Sequence, residues 1–103
     1  MTRVVWTRPA REDLRATRTY IARDSAHYAQ LVVEQQVRAV NRLQDFPLSG
    51  RVVPETAQPT IREVIEGSYR IVYRVTADEV QVVAVAHGAR QFPPEGFAPP
   101  GSL

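Results

Sequence analysis

Residues 61–75 read I-R-E-V-I-E-G-S-Y-R-I-V-Y-R-V. Two runs rich in β-branched and aromatic residues flank Gly67-Ser68, a two-residue connection in which glycine supplies a positive φ. The stretch therefore predicts a β-hairpin, Ile61–Glu66 against Tyr69–Val75, with Glu66 opposite Tyr69 and Val64 opposite Ile71. Side chains alternate along a strand. Tyr69, Ile71, Tyr73 and Val75 then share one face, and Arg70, Val72 and Arg74 share the other. Two fixed positive charges thus stand inside a strand whose other members are apolar.

Working outward, Val80–Ala86 predicts a third strand, reached by a short connection at 76–79 that sets Val75 opposite Val80. In that register one face carries Val64, Ile71, Tyr73, Val75, Val80, Val82, Ala84 and Ala86. The opposite face carries Ile61, Glu63, Ile65, Arg70, Val72, Arg74, Gln81, Val83, Val85 and His87. Upstream, Arg3–Thr7 suits a short strand containing Trp6, which is expected to pack in the core. Pro9 suits a first helical turn capped by Thr7 or Arg8, and Ala10, Leu14, Thr17 and Ile21 recur at helical spacing over about 9–23. Glu12 and Asp13 are expected in that first turn, where the helix dipole favours acids. Asp24-Ser25 caps a second helix over about 26–45, with Ala29, Val33, Val37 and Val40 in one stripe and Phe46-Pro47 as its stop. Residues 47–59, with three prolines and a glycine, form a loop with an extended piece at Val52-Val53. The fold class is α+β: an N-terminal strand, an αα-hairpin, and a three-stranded antiparallel meander with the helices on its first face. One domain over 1–92 and an extended or disordered Pro/Gly-rich tail over 93–103 are expected.

Composition narrows the function classes. The chain of 103 residues has no cysteine, which excludes disulfides and cysteine-ligated metal. No stretch is apolar enough to span a bilayer and none resembles a signal peptide, so a cytoplasmic protein without a membrane partner is expected. All thirteen basic residues are arginines, which clamp anions well and accept protons poorly. With a net charge of only +2, no direct DNA binding is expected. Nothing points to a cofactor or a metal.

The arginine-dotted face admits two accounts. In one, Glu63 pairs with Arg70 or Arg74 and the tail covers the valines. In the other, the face is a groove that receives a partner, floored by Ile61, Ile65, Val72, Val83 and Val85 and marked by Arg51, Arg70, Arg74 and Arg90.

Four motifs in order resemble the RelE/ParE toxin superfamily over about residues 3–92: P-A-R-E-D-L leading to T-Y-I-A at 19–22, L-Q-D-F-P-L-S-G-R at 43–51, the hairpin at 61–75, and V-V-A-V-A-H-G-A-R at 82–90. The resemblance implies the toxin of a type II toxin–antitoxin pair, held inactive by a cognate antitoxin. RelE-like members cut messenger RNA on the ribosome; ParE-like members inhibit DNA gyrase. Metal-free RNA cleavage needs a base, an acid and cations for the phosphorane. A RelE-like function would assign these to His87, Arg70, Arg51 and Glu63, with Glu55 as an alternative base and Arg74 and Arg90 as further cations. The chain lacks lysine, and no tyrosine follows H-G-A-R; these departures favour a ParE-like protein that binds rather than cuts. An inactive homologue that only binds antitoxin is the remaining alternative.

Overall fold

The structure is a computed structural model that describes residues 2–97. Strand β1 (Arg3–Trp6) leads into helices α1 (Arg8–Ala22) and α2 (Ala26–Asn41), and a single 3₁₀ turn (Arg42–Gln44) follows α2. Strands β2 (Arg51–Val52), β3 (Ile61–Glu66), β4 (Tyr69–Val75) and β5 (Glu79–His87) complete a five-stranded sheet in the order β1-β5-β4-β3-β2. Only the β1–β5 pairing is parallel. The α+β architecture expected from the sequence is present, with two additions: β1 docks on the outer edge of β5, and the extended piece after Gly50 forms a brief strand against β3.

The local signals explain the element ends. Thr7 caps α1, its hydroxyl accepting from the Ala10 N–H at 3.4 Å while donating to the Val82 carbonyl at 2.7 Å. Ser25 caps α2 through the Tyr28 N–H. Because α1 starts at Arg8, Glu12 and Asp13 fall beyond its first turn, contrary to expectation. They meet other needs. Glu12 pairs with Arg8, and the Asp13 carboxylate accepts from the Val85 N–H at 3.0 Å, where β5 has passed the end of β1 and lost its neighbour on that side.

The β3–β4 register is the expected one, with Gly67 at φ +58° in the turn. The β4–β5 register is not. Val75 faces Val80 and Tyr73 faces Val82, but Val72 faces Ala84, leaving Val83 as the extra residue of a β-bulge. Every β5 side chain beyond it changes face. Val85 therefore packs under the helices with Ala10, Ala39, Val40, Ile71 and Val82, where Ala84 and Ala86 were expected. His87 changes sides with it and stands opposite Tyr69. Ala84 and Ala86 join Val53, Ile61, Val72, Val83 and Phe92 in a second core on the far face. Trp6 packs against the helix-side core, as its sequence position suggests.

That far face is not an open groove. Val53 from the loop and Phe92 from the chain after β5 lie buried on it. Of the tail expected to be extended or disordered, residues 93–97 form a turn closed by the Gly96 N–H and the Pro93 carbonyl, and Phe97 packs on Phe92 with ring centroids 5.1 Å apart. Residues 98–103 lie outside the described residues.

Gly50 ties the loop to the sheet. Its N–H donates to the buried Tyr73 hydroxyl at 2.9 Å, and a Cβ there would stand 2.5 Å from the Glu63 carbonyl oxygen and 2.6 Å from that hydroxyl. Gly50→Ala is expected to destabilise the fold by about 3 kcal/mol through overpacking, measured as a lowered midpoint in chemical denaturation.

Candidate functional site

Two regions gather the chemistry-bearing side chains, one on each face of the sheet. The first centres on Arg70, which is 5 % exposed. Its Nε donates to Glu63 at 2.6 Å, and its two terminal nitrogens clamp both Glu55 oxygens at 2.7 and 2.8 Å. Nη1 also donates to the Arg90 carbonyl at 2.8 Å. Glu63, fully buried, accepts from Arg51 Nε on its other oxygen at 2.6 Å. The guanidinium lies over the Phe92 ring, 4.6 Å from its centroid, with Arg90 stacked on the same ring at 5.2 Å. β3 supplies Glu63 and β4 supplies Arg70. The 53–60 loop brings Glu55, and the chain after β5 brings Phe92, whose N–H donates to Glu55 at 3.1 Å.

Hydrogen bonds from Arg70, above all, hold the Glu55 carboxyl at about 2, below the ordinary 4.5; burial works in the opposite sense. The same bonds raise the Arg70 pKa further above its already high value. A guanidinium so engaged has no free edge for a phosphate. Arg74 is also engaged, donating to the Phe97 carbonyl. Arg62, opposite Tyr73, does not stack on it; it donates to the Gly50 and Pro59 carbonyls and pins the loop.

The expected partner residues therefore separate by accessibility. Ile61, Arg70, Val72, Val83 and Val85 are buried, and Arg74 is half-buried. Arg51, Ile65 and Arg90 remain exposed. The expected RNA-cleaving set separates by face. Arg51, Glu63 and Arg70 form one network beneath the loop, while His87 stands on the helix side with its ring edge-on to Tyr69 at 6.0 Å. His87 Nδ1 accepts from the Ala89 N–H at 3.3 Å.

The second region lies around His87. A cleft of about 380 Å³ opens between the helices and the β3–β4 turn, bordered by Tyr20, Tyr28, Val32, Glu66, Tyr69 and His87. Tyr20 and Tyr28 are 65 % and 58 % exposed, and Arg23 stacks over Tyr20 at 5.6 Å. Sequence reasoning placed none of these tyrosines in a site. The signal was present: both lie off the apolar stripes of their helices, where a large aromatic side chain has no core to enter.

The Glu55 carboxyl titrates lower in the folded chain than in the unfolded one, so its contribution to stability is complete above about pH 4.5 and is lost as pH falls towards 2. Glu55→Gln is expected to lower unfolding free energy by about 2 kcal/mol at pH 7, and the deficit should shrink steadily in urea titrations run from pH 5 down to pH 2.

With this geometry in view, comparisons with known proteins converge. The family described as the ParE toxin of the type II toxin–antitoxin system parDE matches residues 4–92. The chain is 37 % identical over 91 residues to Toxin RelE2 of Caulobacter vibrioides, covering 87 % of this chain and 99 % of that protein. It is 34 % identical over 93 residues to the putative toxin Y4kP of Sinorhizobium fredii, covering 88 % and 93 % respectively. Among solved structures, the chromosomal ParDE toxin–antitoxin system of P. aeruginosa superposes with a TM-score of 0.70 at 27 % identity, covering 84 % of this chain and 96 % of that one. The α+β sheet-and-hairpin architecture is therefore shared, and the chain belongs to the ParE toxin family of type II toxin–antitoxin systems.

Proposed function

We propose that this toxin acts by binding DNA gyrase rather than by cutting RNA, and that a cognate antitoxin neutralises it. The observation that carries the first part is the separation described above. Cleavage of a phosphodiester by internal attack needs the acid, the base and the charge-stabilising cation around one phosphate. Here the only described histidine on the sheet, His87, stands on the face opposite Glu63 and Arg70, and Arg70 is already bound to two carboxylates. The network instead serves as scaffold for the loop and the C-terminal segment.

The antitoxin is assigned to the aromatic cleft. Exposed tyrosines beside Ile21 and Val32, with Glu66 and His87 at the edge, have the composition of an interface centre. Arg51, Ile65 and Arg90, the members of the sequence-expected set that remain exposed, lie on the far face with Glu63, Arg70 and Phe92 and do not border this cleft. Arg70, Val72, Ile61, Val83 and Val85 support the sheet from within.

Purified toxin is expected to inhibit gyrase supercoiling and to leave ribosome-bound messenger RNA intact. Codon-level cleavage without any effect on gyrase would reverse the assignment in favour of an endonuclease. Expression that arrests no growth would point to an inactive homologue. Tyr28→Ala is expected to weaken antitoxin binding about tenfold or more in calorimetric titration, with an unchanged thermal midpoint.

A further inference from the structure

Charge is unevenly divided along this chain. Six arginines and two acids occur through residue 23, against seven arginines and nine acids after it. Four of those six arginines, and both acids, lie on α1, where Arg8, Arg11, Arg15 and Arg18 recur at spacings of three, four and three residues and share one face. All four are exposed. Ala10 and Thr17, which are buried, fix the packed side of the helix, and Asp13 is tied to the Val85 N–H. Only Arg8 has an acidic partner among the described residues, Glu12 at 3.1 Å; Arg11, Arg15 and Arg18 make no ion pair or side-chain hydrogen bond there.

The face holds four arginines against one acid, Glu12, where faces serving solubility intersperse charges of both signs, and the positive end of the helix dipole disfavours arginine near the first turn, where Arg8 stands. The stripe runs about 15 Å along the axis. Duplex DNA carries one charge per about 3.4 Å of helix axis on each strand, and because the strand winds round that axis a straight row of this length meets about two to three phosphates of one backbone. No aromatic side chain sits among the stripe positions; Tyr20 turns instead to the cleft with Tyr69 and His87. A single-stranded nucleic acid would call for aromatic stacking platforms, and a protein partner would call for an apolar centre. A straight row of forked guanidiniums without either matches a phosphate backbone.

We propose that the outer face of α1 binds the phosphate backbone of duplex DNA. The whole-chain charge of +2, which argued against direct DNA contact, hides this segregation because the acidic remainder cancels it. The inference goes beyond the gyrase assignment and does not depend on it. On the gyrase–DNA complex, such a contact would hold the toxin at the enzyme's substrate.

The test is fluorescence anisotropy with the full chain and a mixed-sequence 20-base-pair DNA duplex across a salt series. Two to three phosphate contacts give a log–log salt slope of about −2, so affinity should fall about sixteen-fold between 50 and 200 mM salt. Arg15→Gln/Arg18→Gln should remove most of that slope and weaken binding at 50 mM salt at least tenfold, with helicity by circular dichroism unchanged. Arg38→Gln/Arg42→Gln, removing equal charge from α2 and the turn after it, should change affinity less than threefold. Equal losses from both pairs, or no salt-dependent binding at all, would overturn the assignment. So would tighter binding to duplex RNA or to a single strand than to duplex DNA.

Discussion

Arg70 spends its four hydrogen bonds on three separate parts of the chain: Glu63 on β3, Glu55 in the loop that precedes it, and the Arg90 carbonyl after β5. Placing a guanidinium and two carboxylates where water is scarce is costly, and only good geometry with satisfied lone pairs offsets that cost. Here the geometry is bidentate on one acid and shared with Arg51 on the other. The consequence is directional. None of the three segments can leave without uncovering an unpaired buried charge, so the loop and the C-terminal segment are held on the far face of the sheet. That closes the apolar core of Val53, Ile61, Val72 and Phe92 and leaves the helix side as the face with an open cleft.

A second constraint acts through one residue. The extra residue at Val83 rotates the end of β5, setting His87 beside Tyr69 and seating Val85 under α1. Without the bulge, His87 would stand on the side of Glu63 and Arg70. A backbone irregularity thus decides whether the imidazole belongs to an anionic network or to an aromatic cleft. The same segment is anchored by Asp13, which takes the N–H that β1 is too short to reach.

The electrostatic surface follows from the same division of labour. Glu55 and Glu63, the acids that would dilute a basic surface, are turned inward to neutralise Arg70. The arginines of α1 lack such partners, apart from Arg8. A protein of nearly balanced charge thus presents a row of unneutralised guanidiniums on one helix.

The amino-acid sequence by itself determined the elements and the hairpin register. Thr7 and Ser25 caps, the apolar stripes, and Gly67-Ser68 are short-range signals, complete within a few residues. The family motifs were legible for the same reason, being contiguous, and the 8, 11, 15, 18 spacing was open to inspection. What tertiary structure decided was which polar groups meet. The bulge at Val83 leaves no mark in the alternation of V-V-A-V-A, since valine and alanine suit either face. The choice of Glu55 as the partner of Arg70, 15 residues away, depends on how the proline-rich loop folds back. Sequence patterns report a side chain's preference for water or core; they do not report which buried charge will find which, because that is settled only when distant segments compete for the same space.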